Sequence, residues 1–423
     1  MPTASAPAAS NRSRRCESPA PPGVAMCSET PAVRARTSET AAWLRLSFEQ
    51  LGASAFHLLA RIGTPEVIFS ATAKQLSGSV PQAIAQRLSQ PPPPDMAQRV
   101  SDTLTWAEAC GHTLLVLTDP DYPQHLLTIG DPPLVLYVDG DPACLARPGL
   151  AIVGARNATA QGIENARAFA YALACRGLCI VSGMALGIDG AAHVGALTAA
   201  AEGGTTVAVM GTGMSVIYPR RHQALAEQIR QHGALVSELP LEAGPLKSHF
   251  PRRNRLVAGL SSGVLVVEAA RGSGSLITAR IANDTGREVF AMPGSIHSPL
   301  SRGCHDLIRQ GAKLVECAHD VMIELAPDPM SAPDPEMSAF IEPAQQHTPT
   351  DARERIDRAM GYTPTHIDTL CQHTGIALPA IAECLLIGEL AGTILRLPDG
   401  LYQRIKRSKK MATASVYDVV HRT

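Results

Sequence analysis

From Leu150 onward, short apolar runs rich in β-branched residues alternate with longer amphipathic stretches. This alternation constrains the fold more than any other feature of the chain. The runs are "LAIV", "LCIV", "TTVAVM", "ALVSEL", "GVLVVEA" and "REVFAMP". Between them lie segments of helical period such as "ENARAFAYALACRG" and "HQALAEQIRQHG". A strand that is apolar on every residue is covered on both faces, and a helix between successive strands returns the chain for parallel pairing. The expected fold is therefore α/β, a parallel sheet with helices on both faces, and ligands in such sheets sit beyond the carboxyl ends of the strands.

Pro-rich seams divide the rest. Residues 1–40, rich in Ala, Pro and Ser, are expected to be a disordered tail without the apolar segment of a secretory signal. Residues 41–108 carry apolar positions three or four apart, as in "WLRLSFEQLGASAFHLLARIGTPEVIF", and predict a small helical domain interrupted at "SQPPPPDMAQ". The sheet domain is expected over 109–325 and a Pro-rich acidic linker over 326–350. Residues 351–406 read as two helices joined at Gly375 and a hairpin turning at Asp399-Gly400, a winged helix, with a further disordered tail over 407–423. The presumed recognition helix, "LPAIAECLLIGELAG", has no Lys or Arg and carries Glu383 and Glu389, which favours contact with protein over reading of duplex DNA.

Charge and cysteine usage narrow the function. A net charge of −1 makes the whole molecule no bait for polyanions, so any anion site is local. The ten cysteines form no C-x-x-C pair and fit reduced, mostly buried thiols in a cytoplasmic protein. No apolar run is long enough for a transmembrane helix. Neither a G-x-G-x-x-G fingerprint nor a phosphate-binding G-x-x-x-x-G-K-[ST] loop occurs, so no nucleotide cofactor is expected. Asp189 and His193 read as a structural hydrogen-bonding pair rather than as metal ligands, and no metal site is expected.

Four glycine-bearing turns follow strands: "IVGARNATAQG" with Gly154, Arg156 and Thr159, "VSGMALGIDGAAH" with Ser182 and Gly183, "VMGTGMSVIYP" with Thr212, and "EAARGSGSLITA" with Gly274 and Ser275. Small residues at strand-to-helix junctions let backbone N–H groups face an anion. The most unusual stretch is "LKSHFPRRNR". It holds Lys247, Arg252, Arg253 and Arg255 around Phe250, one of only seven Phe in the chain, and no Asp or Glu occurs from Ala243 to Val267. Guanidinium forks grip phosphate oxygens, and an aromatic ring stacks on an unpaired base. Together they predict a groove for single-stranded nucleic acid.

Taken together, "AIVGARNAT", "SGMALGID", "GTGMSVIYP", "HFPRRNRLVAGLS", "GSLITA" and "PGSIHSPLSRGCHDLIRQGA" resemble the DNA-processing protein A family, also called Smf, from about Trp43 to Arg404. The resemblance implies an extended Rossmann-like domain that binds single-stranded DNA, a small N-terminal helical (SAM/HhH-like) domain and a C-terminal winged-helix domain. It further implies no catalytic residue, protection of single strands, loading of the RecA recombinase during natural transformation and recombination, and a homodimer. By the same resemblance Arg156 meets a phosphate, Lys247 and Phe250 line the DNA pocket, Arg253, Asn254 and Arg255 belong to an F-P-x-R-N-R signature with Arg252 at its variable position, and Ser182, Gly183, Thr212, Gly274 and Ser275 form backbone-donor turns. Leu186, Ser215, His222 and His305 depart from residues common in the family. The alternative is a nucleotide-processing enzyme of the lysine-decarboxylase-like phosphoribohydrolase group. Glu268 is the one candidate acid there, and that group's P-G-G-x-G-T-x-x-E turn is replaced by "ARGSGSLITA".

Overall fold

A computed structural model gives the fold and describes residues 31–325, 352–397 and 399–405. Residues 1–30 of the expected N-terminal tail, the linker over 326–350 and the expected tail over 407–423 lie outside the described residues. The first helix begins at Pro31, ahead of the expected boundary at 41.

All six apolar runs become strands of one nine-stranded sheet. Its members are β1 His112–Val116, β2 Val135–Gly140, β3 Gly149–Val153, β4 Cys179–Ser182, β5 Thr205–Val209, β6 Ala234–Ser237, β7 Gly263–Val266, β8 Glu288–Ala291 and β9 Lys313–Leu314. The order is β1-β2-β6-β5-β4-β3-β7-β8-β9. β3 to β9 pair in parallel, while β1 and β2 form an antiparallel pair that joins β6 antiparallel and extends that edge. The parallel order reverses at the β3/β7 pair, Leu150 to Gly263 through Val153 to Val266, the crevice where doubly wound sheets take ligands.

The helices between strands are α7 Ala160–Ala174, α8 Ile188–Thr198, α9 Gln223–His232, α10 His249–Gly259, α11 Ser275–Asp284 and α12 Arg302–Arg309, and α13 Ala318–Leu325 follows β9. Side chains of a strand alternate between faces, and β3 shows the consequence. Leu150 and Ile152 join Phe169, Ala170 and Leu173 of α7 with Ala192 and Ala196 of α8 in one core. Ala151 and Val153 join Leu256 and Val257 of α10 with Ala279 and Ala282 of α11 in the other. Each fully buried Leu, Ile or Val contributes about 1.5–3 kcal/mol, so two packed faces hold the strand ends in place.

Six helices precede the sheet: α1 Pro31–Phe48, α2 Ala53–Ile62, α3 Pro65–Ser70, α4 Ala73–Leu76, α5 Gln82–Leu88 and α6 Pro94–Ala107. The proline run separates α5 from α6, and Pro94 serves as the first residue of α6, where its missing N–H is harmless. This unit has its own core around Leu46, Leu58 and Ile68. A second cluster joins it to the sheet: Trp43, Leu44 and Phe48 of α1 pack with Tyr137, Met184, Met210 and Met214.

The C-terminal unit is a winged helix, with α14 Ala352–Met360, β10 Thr365–His366, α15 Ile367–Thr374, α16 Leu378–Leu390, β11 Ile394–Arg396 and β12 Leu401–Arg404. Gly375 ends α15 in the left-handed conformation, φ 66°, which glycine adopts without steric cost. The wing pairs Ile394 with Arg404 and Arg396 with Tyr402. Among the described residues no single helix is long and apolar enough to cross a membrane.

Candidate nucleic-acid interface

The segment "HFPRRNRLVAG" is the helix α10, entered directly from the loop after β6. A helix sends residues i, i+3 and i+4 to one side and the intervening ones elsewhere. The four cations of this stretch therefore separate. Lys247, ahead of the helix, is exposed. Arg253 is only 5% exposed, and its Nη1 donates to the backbone carbonyls of Gly183 and Val209. Burial lowers its pKa to about 10, with Asp189 acting in the opposite sense, so it stays charged near neutrality. Arg255 donates to the Asp131 carbonyl and to the Glu238 carboxylate. Arg252 is half exposed, with Nε 3.1 Å from Oε1 of the same Glu238.

Two expectations are thereby corrected. Arg253 is a buried strut and faces no phosphate, because its guanidinium is spent on carbonyls inside the sheet edge. Arg255 is an ion-paired brace, because Glu238 at the end of β6 faces it across the loop. Glu238 is itself buried; burial raises its pKa, and Arg255 and Arg252 oppose the rise. Asn254 is half-buried and donates from Nδ2 to the Gly274 carbonyl at 3.3 Å, tying α10 to the turn before α11.

Phe250 lies on the first turn of α10. It is half-buried rather than in the core. Its ring centroid lies 5.6 Å from that of Tyr218, tilted by 48°, and the Arg156 guanidinium carbon stands 5.5 Å from it. Gly211 permits this position, since a Cβ there would come within 2.8 Å of the Phe250 ring. Arg156 and Lys247 are exposed, and so are Tyr218, Arg220 and Arg221. Sequence reading passed over Tyr218, although "SVIYPRR" held the signal: an aromatic followed by two arginines in a turn already singled out.

The glycine turns divide into two kinds. Those after β4 and β5 are internal scaffolding. Ser182 is fully buried and its hydroxyl donates to the Ile152 carbonyl at 2.6 Å. Thr212 is fully buried and donates to the Val216 carbonyl at 2.6 Å. Gly183 is buried against Arg253, whose guanidinium would lie 2.4 Å from a Cβ at that position. These side chains do not reach the surface, and the expectation for Ser182 and Thr212 concerned the backbone N–H groups of their turns. The loop that follows is clamped residue by residue: Arg253 holds the Gly183 carbonyl, His222 meets the Met184 carbonyl at 3.0 Å, and Asp189 accepts from the Ala185 N–H at 3.3 Å. Asp189 and His193 are structural, yet each bonds elsewhere, His193 through Nδ1 to Thr206 Oγ1 at 2.7 Å.

The turn after β3 contains its own anion. Glu268 accepts from the Thr159 N–H at 2.9 Å and from its hydroxyl at 2.5 Å. Thr159 caps α7 by accepting from the Gly162 N–H at 3.0 Å. A carboxylate thus occupies the place a phosphate would take, which removes Thr159 from the DNA rim. It also engages both oxygens of the acid that a hydrolase reading would need. Burial raises the pKa of Glu268, and the Thr159 bonds counteract this. Gly154 packs against Ile188. Gly274 is exposed and open, and Ser275 is buried with its hydroxyl 2.8 Å from that of Ser273.

A doubly wound sheet with a cationic, aromatic rim, preceded by a helical unit and followed by a winged helix, defines a Rossmann-like protein of the DNA-binding class. The chain belongs to the DNA recombination-mediator protein A family, whose model matches residues 113–326, and a model of the DprA winged helix domain matches residues 341–400. Protein Smf of Escherichia coli is 42% identical over 319 residues, covering 75% of this chain and 84% of that protein. DNA processing protein DprA of Streptococcus pneumoniae is 46% identical over 208 residues, 49% of this chain and 72% of that protein. The X-ray structure of DNA processing protein A from Streptococcus pneumoniae matches with a TM-score of 0.55 at 34% identity, covering 70% of this chain and 98% of that one.

Proposed function

We propose that this chain binds single-stranded DNA along the rim formed by Arg156, Tyr218, Lys247 and Phe250, and acts there as a binder without catalysis. One observation carries the reading: an aromatic ring left half-buried between a second ring and a guanidinium, at the carboxyl edge of a parallel sheet. Paired bases hide their faces inside the duplex, whereas an unpaired base offers one to such a platform. The exposed cations beside it supply the phosphate contacts. Membership of a recombination-mediator family supports a further step, in which the chain, as a cytoplasmic homodimer, shields incoming single strands and promotes loading of the RecA recombinase during DNA uptake and recombination.

A mobility shift with matched single-stranded and duplex oligonucleotides tests the binding. Preference for the single strand, lost on Phe250→Ala, is expected; equal retardation of both forms would sink the reading. Adding RecA to a strand already coated with the protein tests the second step, with faster filament growth expected and an unchanged rate counting against it.

A further inference from the structure

We propose that the cleft between the Rossmann-like and winged-helix units is a second binding site, which takes a small organic cation: a protonated amine carried on an apolar body. The cleft encloses about 350 Å³, within the range of roughly 300–1,000 Å³ typical of small-molecule sites. On one side it is walled by residues at the ends of β3, β7 and β8, Thr159, Glu268 and Met292 among them. On the other side stand Tyr362 to Pro364 and Gln403 of the winged helix. It therefore opens at the β3/β7 reversal, where a doubly wound sheet receives its ligand. None of Arg156, Tyr218, Lys247 and Phe250 lines it, so it is separate from the DNA rim.

The charge of the lining selects the ligand. Glu164, Glu268 and Glu316 face the cleft, and among the described residues no Lys or Arg does. Glu268 is spent on Thr159. Glu164 is only 7% exposed, yet no hydrogen-bond or ion-pair partner holds its carboxylate among the described residues. Opposite it, Gln403 is 1% exposed and donates from Nε2 to the Tyr362 carbonyl at 2.9 Å. That bond fixes the orientation of the amide and leaves Oε1 buried without a partner. The one buried atom on these walls left without a partner, among the described residues, is thus an acceptor, and the facing wall carries the Glu164 carboxylate. A buried acceptor left unmatched costs about 1–3 kcal/mol, more when charged. An ammonium group supplies up to three donors and the compensating charge, while Phe169, Ala172 and Met292 offer surface for an apolar body. A phosphate would meet three carboxylates and, among the described residues, no cation to balance its charge, so the lining favours an amine over a nucleotide.

Titration of the full-length protein with phenethylamine, phenylacetate and 2-phenylethanol, three ligands of similar shape and different charge, tests the site by calorimetry. Phenethylamine is expected to bind, with phenylacetate weaker by about tenfold or more. Glu164→Gln is expected to lower the amine affinity by a similar factor, and Ala168→Phe, which fills the cleft, to abolish binding. Oligo-dT affinity should be unchanged in both variants, so the outcome is independent of the DNA reading. Absence of amine binding at millimolar concentration, equal binding of phenylacetate, or an unchanged amine affinity in both variants would overturn the assignment.

Discussion

Individual side chains at the proposed rim separate into those exposed to a ligand and those that hold the exposed ones in place, and substitution distinguishes them. Phe250→Ala is expected to weaken oligo-dT binding by about 1–3 kcal/mol, the worth of one stacked base, with the circular dichroism spectrum unchanged. Wild-type affinity in fluorescence anisotropy would remove the stacking role. Arg156 and Arg253 are expected to have opposite roles, although both are arginines of the motifs singled out in the sequence. Arg156 is exposed, so Arg156→Ala should flatten the log–log salt dependence of single-strand binding by about 0.7, one phosphate contact. Its effect on stability should stay within about 0.5 kcal/mol. Arg253 is buried and charged among the Gly183 and Val209 carbonyls and near Asp189. Arg253→Ala leaves those acceptors and that carboxylate uncompensated, and a loss of about 3–5 kcal/mol in urea unfolding is expected. An Arg253→Ala protein of normal stability with a flattened salt slope would return this residue to the rim.

Elements were legible in proportion to how little they depend on their neighbours. A strand buried on both faces is apolar at every position, so all six runs could be read without knowing their partners. Helix α10 was not legible, because Pro251 and a dense row of charges mask its 3.6-residue period. Its signal is visible only in retrospect, with Leu256 and Val257 buried one turn beyond Arg253. Without the helix, four cations looked like one cluster. Glu238, at the end of the run read as "ALVSEL", gave no hint that it pairs across the loop with Arg252 and Arg255. Glu238→Gln removes that neutralising carboxylate and is expected to steepen the salt slope by up to about 0.7, as Arg252 gains a phosphate. Helix α8 carries a pH dependence of its own. Burial holds the pKa of His193 down at about 3, against 6.5 when unfolded, and His222 and Arg253 nearby push the same way. Between these values the unfolded chain binds one more proton than the native one, so the contribution of His193 to stability is complete above about pH 6.5 and is lost as pH falls toward 3. Asp189, raised by burial, acts in the opposite sense. His193→Gln should therefore flatten the acid limb of a stability-against-pH curve, and an identical limb would mean that the ring is hydrated in the native state.

At the scale of the whole molecule, nothing in the sequence told how the units pack. Trp43 of the first helix shares one core cluster with Met184 of the clamped loop, and the wing meets α7 across the acidic cleft. Such contacts join residues far apart in sequence that share no local pattern. The winged helix itself has a core of Ile356, Leu370, Ile381 and Leu385, independent of the sheet. Its α16 exposes Leu386 and Leu390 and bears neither Lys nor Arg, so it has no side chain with which to grip phosphate or read a base edge. The single-strand rim, in contrast, lies wholly on the sheet unit, which keeps both of its own cores. Ending the chain after Leu325 is accordingly expected to leave oligo-dT affinity within about 0.5 kcal/mol of the full chain, as for independent sites, and its salt slope unchanged. The same truncation removes Tyr362 and Gln403 from the cleft and should abolish phenethylamine binding. A truncated protein that lost its hold on oligo-dT while remaining folded would show that DNA crosses from the rim onto the winged helix, and would move the nucleic-acid interface off the sheet edge.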